Sequence, residues 1–265
     1  MKVTVADGVE LNVRHTAGSS LPAFLLVHGL ASNARLWDGV AAALARAGHP
    51  SYAVDLRGHG LSDLPSSGFS TAAAAADLAV VISSLGLDRP VVAGQSWGGN
   101  VVVRLAATHP ALVSALALVD GGWIDLRASF GSWSACAAAL RPPDLDGLCA
   151  DDLRASVRSG HPDWAAWAVD ATVANLRVGP DGRLSRRLPI PRHMEIVRSM
   201  YDEPPQQFHP SLTMPVLLLP AGGGVGSSVA TIPSATVRPY VDGDHDLHAQ
   251  RPDEVAADLL SLVRS

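Results

Sequence analysis

The residues with the clearest chemical potential lie in the stretch 94–98, G-Q-S-W-G. A buried strand is predicted before this stretch and a helix after it, which is the layout of a nucleophile elbow. A serine at such a tight turn points its hydroxyl away from the sheet, while Gly94 and Gly98 must pass close to each other. The N-terminus of the following helix supplies free N–H groups and positive potential for an oxyanion. The pattern predicts Ser96 as a nucleophile.

A serine hydroxyl is a weak nucleophile, so it needs a general base, and the base needs an acid that orients it. Candidate bases occur late in the chain, in the stretch 242–252, D-G-D-H-D-L-H-A-Q-R-P. This stretch contains His245 and His248, followed by a proline that is typical of the first turn of a helix. Either histidine is a candidate base on sequence alone.

The elements that position these residues alternate between strands and helices along the chain. This alternation predicts an α/β fold with a mostly parallel central sheet wrapped by helices. An opening hairpin is predicted around the turn Asp7-Gly8, and Ser70 is the predicted N-cap of a helix that Gly86 closes. Further strands are predicted at 23–27, 51–55, 91–93, 112–119, 214–219 and 236–241.

The pattern changes between residues 123 and 210, where no convincing strand is found and several helical periodicities occur. We therefore expect residues 1–122 and 211–265 to form the core domain and residues 123–210 to form an inserted helical cap. The insertion contains four of the six tryptophans of the chain, namely Trp123, Trp133, Trp164 and Trp167.

Taken together, the motifs resemble those of the α/β-hydrolase superfamily. The resemblance runs from His28 to the C-terminus and is carried by H-G-L at 28–30, D-L-R-G-H-G-L-S-D at 55–63, G-Q-S-W-G-G at 94–99 and G-D-H-D-L-H at 243–248. It implies the α/β-hydrolase fold, with the cap above the carboxyl ends of the strands. It also implies His245 as the general base, with His248 as the alternate, and an oxyanion hole formed by the backbone N–H groups of Leu30 and Trp97.

The position of the acid that would orient the base departs from the commonest pattern of this superfamily. In that pattern the acid follows the penultimate strand. Here that strand runs into the glycine-rich stretch 220–228, and the next carboxylate is Asp242. Three interpretations remain open. A known variation of the superfamily places the acid one strand earlier, where Asp120 stands; Asp242 or Asp244 beside the histidine is the second; an absent acid is the third.

The serine at the elbow argues for acyl chemistry, because relatives that cleave carbon–halogen bonds or epoxides use an aspartate there. We expect a small, largely apolar substrate with an ester, lactone or thioester bond. Alternatives are a binding protein or receptor with slow turnover, for which the stretch 222–226 is the best support, a cofactor-free perhydrolase, or a biosynthetic cyclase. The expected pocket residues are His28, Trp37, Trp123, Trp133, Trp164 and Trp167.

Bulk properties exclude several other classes of function. The 265 residues carry a net charge of −5, which does not favour nucleic acid or an anionic membrane as partner. No secretory signal or membrane span is visible, and the two cysteines match no metal spacing, so we expect a cytoplasmic protein. No motif requires a metal or cofactor, and the sequence leaves the oligomeric state open.

Overall fold

The computed structural model describes residues 1–145, 147–222, 224–225, 229, 231–233 and 235–263. Its centre is an eight-stranded sheet whose strands, in chain order, are β1 (Lys2–Thr4), β2 (Glu10–Thr16), β3 (Phe24–Val27), β4 (Ser51–Val54), β5 (Val91–Gln95), β6 (Ala115–Val119), β7 (Val216–Leu219) and β8 (Ala235–Val237). Their spatial order is β1-β2-β4-β3-β5-β6-β7-β8. The pairs β1–β2 and β2–β4 are antiparallel and all the other pairs are parallel.

The central strands β3, β5, β6 and β7 are buried along their whole length, because helices cover both faces of a parallel sheet. Alternate side chains of β3 enter two separate cores. Leu25 and Val27 pack into one hydrophobic cluster, and Phe24 and Leu26 pack into the other. Successive side chains of a strand point to opposite faces of the sheet, so a shift of one residue would exchange the side chains that face the two cores. This alternation fixes the register of the strand.

The helices of the sheet region are α1 (Asp38–Arg46), α2 (Thr71–Ser84) and α3 (Trp97–Thr108) before the insertion. Short 3₁₀ turns lie at Ala6–Gly8, Ala34–Trp37, Pro110–Leu112, Pro205–Gln207 and His209–Ser211. The predicted N-cap of α2 is confirmed, since Ser70 accepts a hydrogen bond from the N–H of Ala73 at 3.1 Å. The predicted hairpin of β1 and β2 is confirmed as well.

The insertion, residues 123–210, lies between β6 and β7 in the chain. It contains α4 (Leu126–Phe130), α5 (Trp133–Leu140), α6 (Ala150–Gly160), α7 (Ala166–Val173) and α8 (Ile190–Asp202). It also contains a two-stranded hairpin of Leu176–Val178 and Leu184–Arg186, so the expectation that it holds no strand is wrong. Three-residue strands are too short to show an alternating pattern. That the insertion forms a separate cap unit remains a prediction.

After β8 the chain forms α9 (Leu247–Gln250) and α10 (Pro252–Ser261), with Pro252 in the first turn of α10 as predicted. Within the described residues, no helix has the length and apolar character needed to cross a membrane. The glycine-rich stretch 222–226, which supports the binding-protein alternative, lies partly outside the described residues.

Candidate active site

Ser96 forms the sharp turn between β5 and α3. Its backbone adopts φ 53° and ψ −124°, a strained conformation for a residue with a side chain. The turn needs small neighbours, because a Cβ atom on Gly94 would lie 2.4 Å from the carbonyl oxygen of Gly98. The N–H of Ser96 donates to the carbonyl of Val119 at 3.0 Å, which ties the turn to β6. This is the geometry expected of a nucleophile elbow.

The loop 28–31 lies directly against this turn. A Cβ atom on Gly98 would lie 2.4 Å from the carbonyl oxygen of His28, and one on Gly29 would lie 3.0 Å from the Cβ of Ser96. Within the described part of the chain, the backbone N–H groups of Leu30 and Trp97 donate to no other residue. Both residues line the same cavity as Ser96.

Two buried histidines shape this loop from below. His28 accepts a hydrogen bond at Nε2 from the N–H of Leu56 (3.0 Å), so its Nδ1 donates to the carbonyl of Gly29 (2.7 Å). His59 likewise accepts at Nε2 from the N–H of Ala31 at 3.1 Å. Burial and the neighbouring His28 lower the pKa of His59 to about 3, so this ring is neutral and stays an acceptor. These histidines hold the loop rather than contact the cavity.

His245 and Asp120 form a hydrogen-bonded pair at the carboxyl edge of the sheet. The distance from His245 Nδ1 to Asp120 Oδ2 is 2.6 Å, and the other carboxylate oxygen accepts from the N–H of Ala221 at 3.0 Å. The hydrogen bond to Asp120 raises the pKa of His245 above its ordinary value, against the opposing effect of burial. Of the candidate acids, the structure places Asp120 beside His245.

The alternative acid Asp244 has a different set of partners. Its Oδ2 accepts from His161 Nδ1 at 2.9 Å and from the indole N–H of Trp164 at 2.8 Å. Gln95, next to Ser96, donates through Nε2 to the carbonyl of His245 at 2.9 Å. The histidine loop is therefore held from two sides, by the insertion and by the elbow. Neither contact was recognised from the sequence motifs.

The alternate base His248 lies away from the cavity. Its side chain is completely buried, with its ring centroid 4.4 Å from that of Trp37, and neither ring nitrogen has a hydrogen-bond partner among the described residues. Burial is the main cause that lowers its pKa to about 3. His245, in contrast, exposes 55% of its side chain and lines the cavity.

The cavity has a volume of about 570 Å³ and opens above Ser96 and His245. Its floor includes Leu30 and Trp97, and its walls come from the insertion. Among the wall residues, His193, Val197 and Met200 follow one another at helical spacing on α8. The other residues that line the cavity are Ala31, Ile124, Leu126, Ala139, Leu140, Arg141, Pro142, Pro143 and Arg186.

The residues expected from the sequence to form the pocket lie elsewhere. His28 and Trp37 are fully buried in the core region. Trp123 packs against the main core, and Trp133 packs on Tyr201. The two remaining tryptophans, Trp164 and Trp167, share a small cluster with Leu36 and Ala168 between the insertion and the sheet region.

The wall of α8 carries a signal that was not recognised in the sequence. The residues at 193, 197 and 200 lie at spacings of four and three, which places them on one face of a helix. Among the described residues, no group of three or more His, Cys, Asp or Glu side chains is arranged to hold a metal ion.

Comparisons with known proteins agree with this architecture. An uncharacterized protein of Mycobacterium tuberculosis is 42% identical over 108 residues, which are 41% of this chain and 31% of that protein. An esterase of the same species is 41% identical over 104 residues, 39% of this chain and 34% of that protein. The match therefore spans about a third of the length of these relatives.

A crystal structure of E-2-(acetamidomethylene)succinate hydrolase superposes with a TM-score of 0.80 at 22% identity, covering 100% of this chain and 98% of that chain. At this identity the likeness shows the fold alone. The sequence model of the alpha/beta hydrolase fold matches residues 22–252. The resemblance seen in the sequence motifs is thus confirmed, and the chain belongs to the α/β-hydrolase family.

Proposed function

We propose that this protein is a serine hydrolase that cleaves an ester, lactone or thioester of a small, largely apolar substrate through an acyl-enzyme. One observation carries the proposal: Ser96 and His245 line one cavity with Leu30 and Trp97, whose N–H groups have no other acceptor among the described residues. The family membership and the esterase relative support hydrolase activity. The largely apolar cavity wall supports an apolar substrate body.

In the proposed mechanism, His245 accepts the hydroxyl proton of Ser96 through Nε2 while the serine oxygen attacks the acyl carbonyl. The N–H groups of Leu30 and Trp97 stabilise the oxyanion, and each such donor contributes roughly 3 kcal/mol in the transition state. The imidazolium then donates its proton to the leaving group. The acyl-enzyme is hydrolysed by a water molecule that His245 deprotonates in the second half-reaction.

Asp120 has an orienting role in this mechanism. Its carboxylate accepts the Nδ1–H of His245, which fixes the tautomer that leaves Nε2 free to accept a proton. The same contact stabilises the imidazolium as it forms. The raised pKa of His245 is consistent with that stabilisation.

The test is turnover of p-nitrophenyl butyrate together with labelling by a fluorophosphonate probe. We expect Ser96→Ala to abolish both the turnover and the labelling, because the nucleophilic oxygen is removed. Ser129→Ala is the matched control, since Ser129 is an exposed serine of α4 that does not line the cavity. Unchanged turnover in Ser96→Ala would overturn the proposal. Tight ligand binding without labelling of the wild type would favour a binding protein of this fold.

A further inference from the structure

The cavity wall formed by the insertion carries basic side chains and no acidic ones among the described residues. Arg141 follows the C-terminus of α5, Arg186 ends the hairpin, and His193 lies on α8. No described aspartate or glutamate lines the cavity, although the chain as a whole has a net charge of −5. The sign of the charge at this wall is therefore opposite to that of the whole molecule.

These two arginines also differ in their partners from five other arginines of the insertion. Within the described part of the chain, neither Arg141 nor Arg186 forms an ion pair with a carboxylate, and Arg186 donates a hydrogen bond to the carbonyl of Pro143. In contrast, carboxylates pair with Arg127, Arg154, Arg183, Arg192 and Arg198. Among the described residues, the positive charge at the cavity is thus not neutralised locally.

The surroundings of Arg186 favour binding of an anion. Arg186 is half-buried as a residue and shares the cavity with apolar side chains of Leu140, Val197 and Met200. A charge beside apolar surface is less screened than one in open water, so its attraction for an opposite charge is stronger. Burial, together with Arg186, lowers the pKa of His193, so His193 is neutral and Arg186 supplies the charge there.

We infer that the substrate carries a carboxylate at the end remote from the scissile acyl bond, and that Arg186 binds that carboxylate, with Arg141 as a second positive charge at the same cavity. The inference rests on the proposed function and specifies its substrate class. A guanidinium presents paired N–H donors that match the two oxygens of a carboxylate. The apolar side chains that line the same cavity then contact the hydrocarbon body of the substrate.

The experiment compares the mono-p-nitrophenyl ester of adipic acid with p-nitrophenyl hexanoate, which has the same number of acyl carbons and no carboxylate. For the wild type we expect kcat/KM at least tenfold higher for the adipate half-ester, chiefly through a lower KM. Arg186→Gln should reduce this ratio about tenfold, and Arg186→Lys should recover part of it. Arg177→Gln, at an exposed position of the same hairpin outside the cavity, should leave the ratio unchanged.

An equal kcat/KM for the two esters in the wild type would overturn the inference, and so would an unchanged ratio in Arg186→Gln. A binding measurement separates this inference from the proposed function. In Ser96→Ala, which cannot turn over an ester, adipate should raise the melting temperature more than neutral adipamide does, and Arg186→Gln should abolish the difference. If the wild type hydrolyses neither ester while this binding is intact, only the proposed function is refuted. The absence of an adipate effect refutes the carboxylate site.

Discussion

Replacing Gly121 with alanine is expected to lower both the catalytic rate and the stability of this protein. Gly121 follows Asp120 and packs against the elbow, so that an added Cβ would lie 2.2 Å from the carbonyl oxygen of Ser96 and 2.6 Å from its Cα and N atoms. Ordinary contacts of a Cβ begin at about 3.4 Å, so one of the two backbones must move by about 1 Å. Both backbones carry residues of the proposed triad.

The size of the effect follows from that displacement. A shift of about 1 Å in a catalytic group typically costs on the order of 10²-fold in rate. Overpacking of a closely packed interior costs about 1–3 kcal/mol of the free energy of unfolding. We therefore expect kcat/KM of Gly121→Ala to fall by about two orders of magnitude while the variant still folds.

The assay measures kcat/KM with p-nitrophenyl butyrate and the free energy of unfolding in urea for the same preparations. Gly160→Ala is the matched control, because Gly160 ends α6 and a Cβ added there would meet no heavy atom of the described residues within 4 Å apart from its chain neighbours and the backbone of its own helix. It should leave the rate unchanged. A Gly121→Ala variant with wild-type rate and stability would refute the argument that the elbow and the Asp120 loop must approach this closely.

Three further predictions concern individual side chains. The hydrogen bond to Asp120 raises the pKa of His245, so kcat/KM of the wild type should fall as the pH drops through a value above 6.5. Asp120→Asn should move the inflection of the pH–rate profile to lower pH and lower the rate on the order of 10⁴-fold. His248 has a pKa of about 3 in the fold, so below pH 6.5 the unfolded chain binds a proton that the folded chain does not, and the free energy of unfolding decreases as the pH decreases. His248→Phe should make this decrease smaller when urea unfolding is compared at pH 7 and pH 4. Asp77→Ala should lower the free energy of unfolding by about 3–5 kcal/mol, measured by urea denaturation, because it leaves the buried guanidinium of Arg57 unpaired. The double variant Asp77→Leu with Arg57→Met removes both charges and should recover most of that loss.

The fold was predictable because its signals are local. Each central strand is a short apolar run, and residues such as Ser70 and Pro252 mark where helices begin. The close approach of Gly94 to Gly98 is encoded in the motif itself, since only residues without side chains fit there. The sequence left three interpretations of the acid open, and the structure places Asp120, directly after β6, in hydrogen-bond contact with His245 in the loop after β8.

The cavity wall was not predictable to the same degree. Large aromatic residues in an inserted helical segment can either line a pocket or pack the insertion against the sheet, and the sequence pattern is the same in both cases. Trp164 illustrates the second, since its indole N–H donates to Asp244 and its ring packs with Leu36. Which of the two applies depends on contacts between segments far apart in the chain, such as the 80 residues that separate Trp164 from Asp244. For the same reason, the position of Arg186 at the cavity could not be predicted from the sequence.

The position of Asp120 supplies the proposed mechanism with an acid although no carboxylate follows the penultimate strand until Asp242. Strands β6 and β7 are parallel neighbours with Val119 opposite Leu219, so the residues that follow them lie side by side at the same edge. Ala221, just after β7, donates its N–H to one carboxylate oxygen of Asp120, and the other oxygen is left for His245. The left-handed backbone at Asp120, with φ 41°, is one that aspartate tolerates better than most residues. An acid on either strand can therefore reach the histidine, because adjacent strands are only about 4.8 Å apart. Spatial adjacency of the strands, and not the order of residues along the chain, determines which carboxylate can reach His245.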